Sequence, residues 1–159
     1  MKMKTNKQED GKMSLPRVNK KIGVIGYTTG VYDMFHIGHL NVLRRAKELC
    51  DYLIVGVSTD ELVLKDKKHK PIIPFEDRCE IVSAIKYVDA VVPQVDKDKM
   101  NAWRKLQFQK MFVGSDWQGT EQWNGYEREF EEVGVEIIYL PHTDKISSTM
   151  LRKEVFHEV

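Results

Sequence analysis

The sequence predicts a small doubly wound α/β domain, with a five-stranded parallel sheet and helices on both of its faces. Short apolar runs of strand length alternate with stretches of helical period, the order that parallel crossover connections demand. A chain of 159 residues has room for one hydrophobic core and is cramped for two. Apolar residues at 42% and charged residues at 31% are the balance of a folded domain with a hydrated surface, which sets aside fibrous classes and bulk disorder.

Residues 1–20 stand apart from this pattern. Together with Lys21 they hold six Lys and one Arg against Glu9 and Asp10, with few apolar residues and no period. They read as a solvated basic extension ahead of a domain at residues 21–159. The first strand is expected at Ile22–Tyr27. Leu40, Leu43, Ala46 and Leu49 then give a helix its apolar stripe, with Arg44, Arg45 and Glu48 outside. Tyr52–Val57 is the second strand, and a lysine-rich loop is expected from Lys65 to Lys70. A helix follows Pro74, and Ala90–Val92 is the third strand. Residues 99–109 read as a helix, Met111–Val113 as the fourth strand, and residues 121–132 as a helix stopped by Gly134. Val135–Leu140 is the fifth strand, and Ser147 and Ser148 occupy the N-cap of a final helix from Thr149.

Several function classes are excluded early. A formal net charge of +1 gives no bulk electrostatic case for binding nucleic acid. Cys50 and Cys79 are too few for a disulfide framework or a four-thiolate metal site. No apolar run reaches the roughly 18–20 residues that span a bilayer, so no membrane insertion is expected. No apolar core follows the N-terminal basic residues, so no signal peptide is expected, and the cytoplasm is the expected setting.

In a doubly wound sheet, ligands bind beyond the carboxyl ends of the strands. The loop there, after the first strand, is expected to run Thr28-Thr29-Gly30-Val31-Tyr32-Asp33-Met34-Phe35-His36-Ile37-Gly38-His39. Two histidines at i and i+3 then project to one side of a helix's first turn. A helix N-terminus presents free N–H groups and partial positive charge, which suit phosphate. Gly38 is expected to clear space for that phosphate. The plainer alternative makes His36 a cap and His39 a half-buried packing residue. No third ligand has metal-site spacing, so no metal site is expected in the protein itself.

These residues resemble a known family. Thr29-Gly30-Val31-Tyr32-Asp33 followed by His36-Ile37-Gly38-His39 resembles the HxGH nucleotidyltransferases, with their Rossmann-like domain, and within them the cytidylyltransferases. Ser58-Thr59-Asp60-Glu61, Glu76-Asp77-Arg78, Lys86-Tyr87-Val88-Asp89, Gly114-Ser115-Asp116-Trp117-Gln118-Gly119 and Ile146-Ser147-Ser148-Thr149 follow in family order. The resemblance implies a transfer of CMP from CTP to a phosphorylated alcohol, such as glycerol 3-phosphate, with pyrophosphate released. It also implies Mg2+ carried in on the nucleotide and a homodimer. Catalysis of such a transfer is mostly positioning and charge stabilisation, which agrees with the absence of an activated nucleophile.

The same resemblance assigns residues. His36, His39 and Lys67 are implied as catalytic. Thr29, Gly30, Tyr32 and Gly38 are implied as nucleotide contacts, with Asp116 and Trp117 at the base and Ser147, Ser148 and Thr149 at the β- and γ-phosphates. Asp33, Arg78 and His142 are implied as substrate-binding or orienting groups. One departure stands out: the closing signature of the family begins Arg-Thr-Glu-Gly, and here reads His142-Thr143-Asp144-Lys145, without the bidentate guanidinium. Two other functions remain in view at this point, an ATP-dependent adenylyltransferase and a nucleotide-binding regulatory module without catalysis.

Overall fold

A computed structural model describes residues 22–143 and 146–156 of the chain. The basic extension expected at residues 1–20 lies outside the described residues, as do Asp144 and Lys145. Five strands, β1 (Ile25–Gly30), β2 (Tyr52–Ser58), β3 (Ala90–Gln94), β4 (Lys110–Gly114) and β5 (Glu136–Leu140), form one parallel sheet in the order β3-β2-β1-β4-β5. The chain winds outward from β1 in one direction, returns, and winds outward in the other. The reversal falls between β1 and β4, where the crossovers diverge and leave a crevice at the carboxyl ends.

The helices are α1 (Ile37–Glu48), α2 (Asp60–Lys67), α3 (Phe75–Ser83), α4 (Lys99–Leu106), α5 (Glu121–Glu132) and α6 (Ser148–Phe156), with a short 3₁₀ turn at Ser115–Trp117. Alternating strand side chains feed two cores. Leu43 and Ala46 of α1 and Val82 of α3 pack with Leu53, Val55, Val57, Phe112 and Leu140 on one face. Leu106 of α4 and Trp123 and Phe130 of α5 pack with Ile25, Tyr27, Ile54 and Met111 on the other. Each fully buried aliphatic or aromatic side chain contributes about 1.5–3 kcal/mol. Caps set the helix starts: Thr59, Asp98 and Thr120 accept from the backbone N–H groups of Leu62, Asn101 and Trp123.

The fold class is as expected, and three elements have bounds that differ by three residues. The first strand begins three residues late, because Gly23 takes a φ of +80° and Asp51 caps the Val24 N–H at 2.7 Å. β-branched Thr28 and Thr29 therefore extend the strand instead of opening the loop. Lys65 to Lys67 are the last turn of α2, whose left-handed cap is Lys68, so the lysine-rich loop is half helix. The helix after β3 ends at Leu106, because Gln107 also turns left-handed at φ 52°.

Candidate active site

The loop from Val31 to His36 joins the central strand to α1. Tyr32 and Met34 sit in the left-handed region at φ 56° and 48°, which is unusual for non-glycine residues. Asp33 is 1% exposed and fixes the loop. Its carboxylate accepts from the backbone N–H of Ile72 at 2.8 Å and of Ile73 at 2.9 Å, and from Arg152 Nη2 at 2.9 Å. Its carbonyl accepts from the Ser148 hydroxyl at 2.6 Å. One residue thus ties the histidine loop to the segment after α2 and to α6. Burial acts to raise the Asp33 pKa, but hydrogen bonds from Ile72, Ile73 and Arg152 outweigh it and hold the carboxyl below its usual range.

His36 is the N-cap of α1 and His39 its third residue. The Gly38 N–H donates to His36 Nδ1 at 3.0 Å, and the His36 N–H donates to His39 Nδ1 at 3.2 Å. Both Nδ1 atoms accept, so each neutral ring carries its proton on Nε2. The rings stack with centroids 3.8 Å apart. Burial, then the neighbouring His36, push the His39 pKa down to about 3, against an opposing pull from Asp33. Burial lowers that of His36 as well. At neutral pH the pair is two uncharged donors. His36 Nε2 is buried with no hydrogen-bond partner among the described residues, an orphan that a ligand oxygen can satisfy.

Several of the implied residues have structural roles. A Cβ on Gly38 would lie 2.8 Å from His36 Cε1, so this glycine clears space for the imidazole ring. Gly30 makes the same concession to Tyr32, whose ring would be 2.9 Å from a Cβ. Tyr32 is 5% exposed and packs edge-on against His39, so it supports the imidazole from below and offers no surface to a nucleotide. Arg78 was implied as substrate-binding or orienting, and its fully buried guanidinium fits the orienting role. It donates to the carbonyls of Ile73, Val31 and Ser58 and to Asp60 Oδ1, bracing the ends of β1 and β2. It is a positioning residue.

The remaining residues divide. Ser147 caps α6, its hydroxyl accepting from the Met150 N–H; Ser148 is spent on Asp33; Thr149 is exposed. Asp116 and His142 meet at the surface at 3.5 Å, bringing the loop after β4 to the segment after β5. Trp117 beside them is 49% exposed, a free aromatic face where a base can stack. Thr143 accepts from Asn41 of α1, and Arg45 donates to the Pro141 carbonyl, anchoring that segment across the crevice. Lys67 is exposed at the end of α2, and no hydrogen bond or ion pair among the described residues joins it to the histidines. The sequence reading missed two charged groups. Arg152 pairs with Asp33, and nothing in its spacing from Asp33 announces the contact. Lys99 is 7% exposed and donates to Thr29 Oγ1 at 3.0 Å, a placement invisible without the fold.

A capped histidine pair on the helix after the central strand of such a sheet defines an α/β nucleotidyltransferase domain. Residues 27–154 match the family model described as cytidylyltransferase-like, and the chain belongs to that family. Over 129 residues it is 39% identical to the glycerol-3-phosphate cytidylyltransferase of Bacillus spizizenii, covering 80% of this chain and 94% of the relative. It is 37% identical over 130 residues to an FAD synthase of Pyrococcus horikoshii, covering 80% and 85%. Among solved structures, a lipopolysaccharide core biosynthesis protein from Thermoplasma volcanium superposes with a TM-score of 0.63 at 23% identity, over 76% of this chain and 97% of that one, a likeness of fold.

Proposed function

We propose that the protein transfers CMP from CTP to the phosphate of a small phosphorylated alcohol of the glycerol 3-phosphate kind. An oxygen of the acceptor phosphate bonds to the α-phosphorus of CTP as the bond from that phosphorus to the β-phosphate's bridging oxygen breaks. Pyrophosphate leaves with that electron pair, and the product is a CDP-alcohol. The two Nε2–H groups donate to oxygens on the α-phosphorus as negative charge gathers there. The pair does this without changing its own protonation. The carrying observation is the orphaned Nε2 of His36, left as the donor by the capping bond at Nδ1, on a ring stacked against that of His39.

Mg2+ belongs to this reading as part of the substrate, Mg·CTP. Among the described residues no cluster of three or more His, Cys, Asp and Glu comes together as a cage, and no step above runs through a resident ion. A homodimer acting in the cytoplasm completes the proposal; light scattering and cell fractionation test those two parts. Among the described residues no helix is long and apolar enough to cross a membrane.

Pyrophosphate release tests the reaction. CTP and ATP are each offered with glycerol 3-phosphate, other phosphorylated alcohols and FMN. Release with CTP and a phosphorylated alcohol is expected. Release with ATP and FMN alone replaces the proposal with the chemistry for which the Pyrococcus relative is named. No release with any pair leaves a nucleotide-binding module.

A further inference from the structure

The charges of this chain are divided unevenly. Residues 1–21 carry seven of its 25 Lys and Arg and two of its 24 Asp and Glu, so residues 22–159 hold 18 bases against 22 acids. Part of that acidity gathers on the α4 and α5 face, away from the histidine pair. A groove of about 480 Å³ runs between the two helices, with Asp98, Glu129 and Glu132 along it and Arg104 as its one base. Met100, Tyr126 and Val133 give it an apolar strip. Among the described residues Glu129 and Glu132 make no ion pair, with Arg104 or with any other base. The groove thus offers unbalanced negative charge beside apolar surface, the complement of a basic segment with apolar residues in it.

The topology says which segment. Ile22 packs against the cluster that holds Phe130 and Val135, on the same face as the groove. α5 leads into β5 of a parallel sheet, so its last turn, with Glu132, lies at the amino ends of the strands, as does Ile22 ahead of β1. The chain ahead of Ile22 therefore meets the sheet at the end of the groove that Glu132 and Val133 mark. Residues 12–20 hold Lys12, Arg17 and Lys20 and no acid, with Met13, Leu15 and Val18 between the cations. The eight residues of α4 measure about 12 Å, and the nine residues 12–20, if extended, reach about 30 Å, enough to run the groove's length. We propose that residues 12–20 of the same chain fill the α4–α5 groove. The carboxylates hold the cations, and Leu15 and Val18 cover the apolar strip. Because the segment is tethered beside its site, its effective concentration is on the order of mM, and weak surface pairs suffice.

Carbodiimide coupling, which joins a lysine to a carboxylate it touches, tests this on the full chain at low ionic strength, with the products mapped by mass spectrometry. Links from Lys12 or Lys20 to Asp98, Glu129 or Glu132 are expected, and they should fall by about fivefold in about 0.5 M NaCl. An equal mixture of unlabelled and heavy-nitrogen chains, refolded together, identifies the source of the segment. Each linked pair is expected to carry one isotope; pairs carrying both overturn the proposal in favour of a second copy of the chain. Charge reversal supplies a second measurement. The variants Glu129→Lys/Glu132→Lys and Arg17→Glu/Lys20→Glu each remove the attraction, and all four changes together restore it with the signs exchanged. The Tm of the fourfold variant at low salt should exceed the value expected from adding the two separate shifts by about 2–4 °C. Additive shifts overturn the proposal, and so does a wild type that yields no such links or links that salt leaves unchanged.

Discussion

Replacing Asp33 by Ala removes the one acceptor that three separate pieces of chain share. The carboxylate takes two backbone N–H groups, from Ile72 and Ile73, and a guanidinium N–H from Arg152. Breaking a buried ion pair by deleting one partner costs about 3–5 kcal/mol. The Arg152 side chain is 25% exposed, so water recovers part of its loss, and the lower end of that range applies. Two orphaned amides add about 1 kcal/mol each where solvent does not reach them. The expected total is about 3–5 kcal/mol, depending on how far water reaches the two amides, against the 5–15 kcal/mol typical of a domain. Urea unfolding followed by tryptophan fluorescence should show a midpoint lower by about 2 M at a usual slope for this size. Activity at low urea should fall about 100-fold, because the histidine loop and α6 lose their common tie. The pH dependence carries a sign. The native carboxyl is held below its unfolded value, so its stabilisation is complete above about pH 4 and is lost as pH falls through the lower native pKa. Asp33→Ala should therefore flatten the acid limb of the stability curve. A midpoint within about 0.5 M of wild type, about a quarter of the expected shift, with full activity, would refute the account of Asp33 as the tie.

Three further outcomes are expected. The Cε1 proton of His39 should hold its NMR shift from pH 8 down to about pH 4, since its pKa lies near 3; a midpoint near 6.5 contradicts the neutral pair. By linkage, the unfolded chain binds that proton first, so His39 lowers stability as pH falls below about 6.5, which acid titration of His39→Phe checks by the missing loss. Arg78→Met should cost about 3 kcal/mol or more in urea unfolding by leaving the carbonyls of Ile73, Val31 and Ser58 and the Asp60 carboxylate without their donor; a stable variant with only the acceptor KM raised would return Arg78 to the substrate. Trp117→Ala should leave stability within about 0.5 kcal/mol, because the ring is half exposed, and raise the KM for CTP about tenfold; an unchanged KM removes it from the base site.

Strand and helix order was legible because burial imposes period, and Val55, Phe112 and Leu43 obey it. His36 and His39 were legible because their spacing and the helix start are local facts. What escaped the sequence is long range. Asp33 and Arg152 are 119 residues apart and Thr29 and Lys99 are 70 apart, and no local pattern encodes which polar groups the sheet will bring together. Arg78 was legible as a substrate-binding or orienting group, but the carbonyls at the ends of β1 and β2 that draw it inside were not. At Gly38 the need for space was legible, but the ring that uses it, two residues away in the chain, was not.

The two roles first weighed against each other for His36, helix cap and phosphate donor, are one arrangement. Capping uses Nδ1 as an acceptor, and an imidazole that accepts at Nδ1 must hold its proton at Nε2. The cap therefore sets the tautomer that the reaction needs and prevents the ring from turning away. Asparagine separates the two roles, since it caps helices at least as well and cannot reach with a second donor in the imidazole's position. His36→Asn should keep the wild-type Tm to within about 2 °C while kcat falls by about 100-fold or more, the loss expected for one donor to a developing charge. His36→Ala should lose both, with about 1 kcal/mol of stability gone with the cap. Full turnover in a stable His36→Asn enzyme would leave the ring as a cap alone and return the burden of charge stabilisation to His39 and the helix terminus.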